Sequence, residues 1–224
     1  IAANPLPTTQ SAHPRTGQSM SGAEIIVQVL ADEGVDTIFG YSGGAILPTY
    51  DAIFRHNDEQ SKLAAGARPM PLIVPANEQG AGFMAAGYGR ASGKVGVCVV
   101  TSGPGATNTV TPVRDCTADS IPIVVICGQV GTSAIGTDAF QEAPVSIIMG
   151  SVAKHCFLVT DPAKLEATVR TAFEIARSGR PGPVVIDIPK DVQNWSGSYQ
   201  GSGLLPVRGY HTRMQALRAR VLED

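Results

Sequence analysis

Residues 78–92, Glu-Gln-Gly-Ala-Gly-Phe-Met-Ala-Ala-Gly-Tyr-Gly-Arg-Ala-Ser, lead into residues 95–105, Val-Gly-Val-Cys-Val-Val-Thr-Ser-Gly-Pro-Gly. A segment of helical length and small side chains is followed by a short Val-rich strand. The strand ends in a Gly-Pro-Gly turn that opens the next helix. A continuous apolar run of this length, without polar alternation, suits a strand buried on both faces, as in a parallel sheet covered by helices.

The same unit recurs outward in both directions. Strands are expected at 35–39, 72–74, 95–101, 123–127, 155–159 and 184–188, with helices between them. Ser21-x-x-Glu24 forms a capping box before the apolar positions Ile25, Ile26, Val29 and Leu30, and Gly34 stops that helix. A helical stretch follows Gly44 to about His56, residues 57–71 read as a surface loop, and a single helix is expected over 106–119. Asp161-Pro162 starts another helix, with apolar positions Leu165, Val169, Ala172, Phe173 and Ala176. The expected fold is α/β: a doubly wound, mostly parallel six-stranded sheet with helices on both faces, over residues 21–192. Residues 1–20, with Arg15 as the only charged side chain, read as a disordered leader. Residues 193–203, polar and rich in Gly and Ser, read as a linker. Residues 212–222 read as the first helix of a second domain, so the chain reads as a piece of a longer protein.

Composition narrows the function. Of 224 residues, 43% are hydrophobic and only 16% charged, and the net charge is −2, which leaves no basic stripe for nucleic acid. The longest apolar runs fall well short of the roughly 18 residues a membrane span needs. The four cysteines, at 98, 116, 127 and 156, show no CxxC spacing, and Cys98 and Cys127 lie inside apolar strands as buried thiols. That pattern fits a reducing compartment.

Ligands of doubly wound sheets bind at the C-terminal ends of the strands. The loops leaving those ends here carry Gly40-Tyr41-Ser42-Gly43-Gly44, Pro75-Ala76-Asn77-Glu78-Gln79-Gly80, Thr101 to Asn108, and Gly136 to Glu142. Neither G-x-G-x-x-G nor G-x-x-x-x-G-K-[ST] occurs in the right place, which disfavours a dinucleotide or phosphate cradle and a Rossmann dehydrogenase. Glu78 opens a helix directly after an apolar strand. A first-turn acid is favourable with the helix dipole in any protein. The helix behind it contains Gly80, Gly82, Gly87 and Gly89, each costing about 1 kcal/mol against Ala, so close approach of a neighbour or a ligand must offset them. A carboxylate at the mouth of a packed, dry site is the expected arrangement.

These residues resemble a known family. Asn77 to Gly93, Val100 to Asn108, Thr132 to Glu142, Ser178 to Val184 and Ile188 to Val192 together are similar to the catalytic subunits of the acetohydroxyacid synthases (acetolactate synthases), which are thiamine-diphosphate enzymes. The resemblance covers about Ser21 to Val192. The Glu-Gln-Gly-Ala and Ser-Gly-Pro-Gly blocks are shared by many thiamine-diphosphate decarboxylases and oxidases. Ala-Phe-Gln-Glu and Gly-Arg-Pro-Gly-Pro are narrower. The chain departs from the usual pattern at Ser42, Asn77, Gly89 and Gly131.

The resemblance implies a pyrimidine-binding domain. Glu78 would hydrogen-bond the pyrimidine ring nitrogen and favour the imino tautomer that takes the thiazolium C2 proton. Gly43, Thr101, Pro104 and Asn108 would line the pyrimidine pocket. Phe140 and the catalytic candidate Gln141 would face the substrate, and Lys190 would sit near the access channel. Arg180 would contact FAD as a structural cofactor, and residues 193–224 would hold the linker and the truncated start of a central FAD-type domain. No Gly-Asp-Gly motif occurs, so Mg2+ and the diphosphate are expected outside this segment. The implied reaction condenses decarboxylated pyruvate with a second 2-keto acid in the biosynthesis of isoleucine and valine. The implied assembly is a homo-oligomer with the active site across a dimer, with a small regulatory subunit as a further partner. The implied setting is the bacterial cytoplasm, or a plastid or mitochondrion in a eukaryote. Other thiamine-diphosphate enzymes, namely a pyruvate oxidase, an acetyltransferase or a decarboxylase, and a non-catalytic α/β interaction module are the competing readings.

Overall fold

The computed structural model describes residues 13–63 and 65–206. In chain order the elements are β1 (Ser19–Ser21), α1 (Gly22–Asp32), β2 (Ile38–Tyr41), α2 (Leu47–Ser61), β3 (Leu72–Ile73), α3 (Glu78–Ser92), β4 (Gly96–Val100), α4 (Pro104–Thr107), α5 (Val110–Asp119), β5 (Ile123–Gln129), α6 (Val145–Gly150), β6 (His155–Leu158), α7 (Leu165–Arg177), β7 (Val184–Pro189), α8 (Lys190–Asn194) and β8 (Ser196–Ser198). Six strands form one sheet in the order β3-β2-β4-β5-β7-β6. Every neighbouring pair in it is parallel, as expected from the apolar runs.

Alternate residues of the central strands feed opposite faces, as the two-residue period of a strand requires. Val97, Val99, Val124, Ile126, Val184 and Ile186 meet Ile26, Leu30, Ile53 and Phe173 of α1, α2 and α7. Cys98, Val100, Val125, Cys127 and Val185 meet Ala81, Ala85, Val113 and Met149 of α3, α5 and α6. The small side chains of α3 let that layer approach closely: a Cβ at Gly82 would lie 2.5 Å from Pro112 Cγ. This accounts for part of the glycine content that helix propensity alone disfavours.

Local signals set the element ends. Ser21 Oγ accepts from the Glu24 N–H and Glu24 Oε2 from the Ser21 N–H, at 3.2 and 2.7 Å, closing the expected capping box. Asn77 Oδ1 accepts from Gly80 N at 2.8 Å and caps α3, whose other end stops at Gly93 with φ +72°. Asp161 caps a 3-10 turn, Pro162–Lys164, and the α-helix itself begins at Leu165.

Three expectations are corrected. The helix expected to end near His56 continues to Ser61, since no Gly or Pro stands in residues 57–61 to stop it, and the loop begins only after it. The helix expected over 106–119 is broken into α4 and α5 at Asn108 and Thr109. Pro112 cannot donate to the Asn108 carbonyl and its ring clashes with it, so a helix cannot run through both; in the first turn of α5 the same proline is tolerated. The end of the presumed leader and much of the presumed linker are also docked on the domain. Ser19–Ser21 pairs antiparallel with Ser196–Ser198. Gln193 is buried, accepting from Thr49 Oγ1 and donating to the carbonyls of Ala45 and Ile188. Tyr199 is buried beneath α1 and α7, its hydroxyl donating to Asp32 and accepting from Arg170. Composition alone hides this, because one buried aromatic and one buried amide sit among glycines and serines. Residues 1–12 of the leader and the helix expected at 212–222 lie outside the described residues. Among the described residues, no helix is long and apolar enough to cross a membrane.

Candidate functional site

The candidate site lies at the C-terminal ends of β2 and β4, where the sheet order reverses direction in sequence and a crevice is expected. Glu78 is the first residue of α3 and is only 9% exposed. Its Oε2 accepts a hydrogen bond from Asn108 Nδ2 at 2.9 Å. Asn108 reaches it because the chain turns between α4 and α5. Thr101 follows β4, and its Oγ1 accepts from Ala45 N at 3.3 Å.

Two glycines complete a cradle around these groups. A Cβ at Gly43 would lie 2.5 Å from Thr101 Cγ2. One at Gly105 would lie 2.7 Å from the same methyl and 3.4 Å from Glu78 Oε1. Gly43, Thr101, Gly105, Glu78 and Asn108 therefore form one contiguous wall. Pro104 adjoins it as the first residue of α4.

The loop holding Phe140 and Gln141 closes against this wall through backbone. Gly103 has φ +53°, a conformation L side chains rarely adopt, and a Cβ there would strike the Gln141 carbonyl at 2.3 Å. Asp138 and Gln141 themselves have positive φ. Glu142 folds the loop by accepting from the backbone N–H groups of Gly136 and Ala139, and those N–H groups, Gly136 first, hold its carboxyl below the usual range. The Phe140 ring is 88% exposed.

The remaining expected site residues stand elsewhere. Lys190, the first residue of α8, lines a separate cleft with Leu47, Asp51 and Arg55. Arg180 precedes β7, an interior strand, and so stands at the N-terminal end of the parallel strands, the end opposite the site. Its Nε donates to Ser120 Oγ at 2.8 Å and its Nη2 to the carbonyls of Thr117 and Ala118 at 3.0 and 2.9 Å, so it caps the C-terminus of α5. The four cysteines are free, and burial pushes the Cys116 and Cys156 thiols up to about 12.

Sequence reasoning passes over Asp187 and Gln129. Asp187 interrupts the apolar run of β7, is 2% exposed, and accepts from Gln129 Nε2 at 2.9 Å. A lone acid in a fully apolar strand was the signal available for it.

The family model for the thiamine pyrophosphate enzyme, N-terminal TPP binding domain, matches residues 20–148, more than half of the chain and all of the wall around Glu78. The chain belongs to this family of thiamine pyrophosphate enzymes. It is 54% identical over 173 residues to the mitochondrial acetolactate synthase catalytic subunit of Saccharomyces cerevisiae, covering 77% of this chain and 24% of that protein. It is 43% identical over 217 residues to the acetolactate synthase large subunit of Corynebacterium glutamicum, covering 93% and 33%. It is 48% identical over 181 residues to the acetolactate synthase isozyme 2 large subunit of Escherichia coli, covering 81% and 31%. The chain thus spans a quarter to a third of the length of these curated relatives.

The wall fits the aminopyrimidine half of the family's cofactor. Asn108 occupies one oxygen of a buried carboxyl, and the other faces a cradle that any side chain at Gly105 would fill. Among the described residues, no group of three or more His, Cys, Asp or Glu side chains could hold a metal ion.

Proposed function

We propose that this chain is the pyrimidine-binding part of a thiamine-diphosphate-dependent acetolactate synthase, which joins decarboxylated pyruvate to a second 2-keto acid in branched-chain amino-acid biosynthesis. The observation that carries the reading is the buried Glu78 carboxyl at the start of α3, with Asn108 on Oε2 and the Gly105 cradle at Oε1. When bound, thiamine diphosphate supplies a nucleophilic thiazolium carbon that adds to keto-acid carbonyls. Glu78 would hold a proton at Oε1 against the pyrimidine ring nitrogen, and Asn108 would fix the carboxyl plane by occupying Oε2. Thr101, Gly43 and Pro104 would shape the pocket and exclude water, which strengthens that hydrogen bond. Phe140 and Gln141 would face the 2-keto acid, and Lys190 the access route.

The similarity to catalytic and large subunits supports the synthase over an oxidase or decarboxylase, and supports a regulatory subunit as partner. Mg2+ and the diphosphate would be held by residues outside this segment, with the active site shared across a homodimer. FAD would be reached by Arg180 through Nη1, the nitrogen not engaged by α5. A bacterial cytoplasm or an organelle is the proposed setting, in keeping with relatives from bacteria, mitochondria and chloroplasts.

The test uses the full-length enzyme. Glu78→Gln is expected to slow C2 proton exchange of bound cofactor by roughly 10²–10⁴-fold, the usual contribution of a general acid or base, as read by NMR. An unchanged exchange rate would remove Glu78 from this role. Incubating the wild type with pyruvate alone should give acetolactate; acetaldehyde or acetyl phosphate as the main product would point to a decarboxylase or an oxidase.

A further inference from the structure

Asp187 lies in β7 opposite Cys127 of β5 and Leu158 of β6, on the sheet face covered by α6. Among the described residues, its Oδ1 is the buried side-chain oxygen without a hydrogen-bond partner. Buried polar atoms are normally satisfied, so one that is not calls for a reason. The other oxygen supplies one. Oδ2 accepts from Gln129 Nε2, and the same amide nitrogen donates to the Ala143 carbonyl at 3.1 Å. Gln129 Oε1 accepts from Val130 N at 2.8 Å, which sets the direction of the amide. Ala143 closes the loop that Glu142 folds and that presses Gln141 onto Gly103. Gly103 in turn starts the turn that places Gly105 beside Glu78.

The contacts therefore run without a break from the middle of β7 to the wall of the pyrimidine pocket. We propose that Asp187 is a positioning residue which, through Gln129, fixes the loop bearing Phe140 and Gln141 against the Gly103 turn. The carboxylate orients an amide, the amide holds the Ala143 carbonyl, and the loop cannot lift without breaking that bond. Both anchors are buried, so water does not compete for the bonds. Two residues of the loop sit in the left-handed region, Asp138 at φ +56° and Gln141 at φ +57°, a conformation that persists only where surroundings impose it. The consequence for substrate rests on the function proposed above; the anchoring of the loop does not.

Three variants of the full-length protein test this. Asp187→Asn keeps an oxygen acceptor for Gln129. Asp187→Leu removes it. Gln129→Met cuts the bridge and leaves Asp187 in place, and it decides the matter alone if Asp187→Leu does not fold. Hydrogen exchange of residues 136–143 should accelerate about tenfold in Gln129→Met and Asp187→Leu, the effect of about one lost hydrogen bond, while residues 123–129 and 184–189 stay protected. Asp187→Asn should stay within about twofold of wild type. KM for the 2-keto acid should rise about tenfold in the same two variants, with kcat within about threefold, since the loss is in substrate positioning. Unchanged loop exchange in Gln129→Met would overturn the proposal. So would faster loop exchange with an unchanged KM in an enzyme that makes acetolactate. If the wild type makes no acetolactate, the function proposed above fails, and the exchange comparison still decides the anchoring.

Discussion

Burial raises the Asp187 carboxyl to about 7, and the hydrogen bond from Gln129 draws it back only in part. The groups facing it are Gln129 and the Cys127 thiol from β5 and the Cys156 thiol from β6, none of them a cation. In an unfolded chain the same group titrates near 3.9. The folded protein therefore binds this proton more tightly than the unfolded chain. Its stabilising effect is complete below about pH 4 and is lost as pH rises through about 7. The difference in unfolding free energy between wild type and Asp187→Asn should change by a few kcal/mol over that window, at up to about 1.4 kcal/mol per pH unit. Urea unfolding at pH 4.5, 6 and 8 measures it, and a constant difference would mean that the carboxyl titrates normally. Taking the difference matters, because other carboxyls act in the opposite sense: hydrogen bonds to Ser21 and Lys94 lower Glu24 and Asp36, so their contributions fade as pH falls. At this scale the sequence made Glu78 visible, since a carboxylate opening a glycine-rich helix is unusual on its own. It could not make the Asp187–Gln129 pair visible. Those residues meet only because the register sets Gly128 and Gln129 beside Ile188 and Pro189, and register belongs to the assembled sheet.

Elements show the same division. The parallel strands were legible as apolar runs, and the α1 cap as a four-residue motif, because both signals are local. The break between α4 and α5 depends on Pro112, a signal masked in the sequence by the apparent helical run around it. Arg180 belongs here too. The resemblance implies FAD as the partner of this guanidinium. The structure directs it to the end of α5, sixty residues away. α5 finishes at Ser120 in a left-handed conformation, φ +60°, and its last carbonyls are those that need donors. Arg180→Ala is expected to lower the stability of the flavin-free protein by about 1 kcal/mol, the scale of a charged C-terminal cap on an exposed surface. A urea midpoint measured without FAD checks this. An unchanged midpoint would mean the cap contributes nothing, and a parallel FAD titration measures any contact through Nη1 separately.

On the scale of the whole molecule, the docked segment around Tyr199 decides where the folded unit ends. Asp32 of α1, Glu166 and Arg170 of α7 and Tyr199 form one network: Arg170 bonds both acids, Tyr199 bonds Asp32, and Glu166 accepts from the backbone N–H groups of Gln200 and Gly201. Tyr199→Ala should cost about 3–5 kcal/mol, typical for emptying a buried aromatic site, and should release residues 196–201 to fast hydrogen exchange. A drop in Tm of only a degree or two would mean that this segment is an accessory to the fold. None of this was legible from composition, since a polar Gly-Ser stretch looks the same whether or not it is docked. The unit is thus tied at its boundaries both by polar bonds and by the burial of Met20 and Tyr199 in its apolar core.

The pairing of Ser19–Ser21 with Ser196–Ser198 also has a mechanical meaning. Because the pair is antiparallel, the strand entering the domain and the strand leaving it lie side by side with their outer ends together. A tension applied between residues 13 and 206 would first draw out the segment docked through Tyr199, Gln200 and Gly201, and would then peel this short ribbon open one rung at a time. It would reach the six-stranded sheet only after the ribbon had parted. Peeling strains hydrogen bonds singly, whereas sliding parallel strands past one another would strain a whole ladder at once. The clasp is therefore a mechanical fuse: under tension the docked segment and the ribbon part before the sheet does, and the wall around Glu78 keeps its shape.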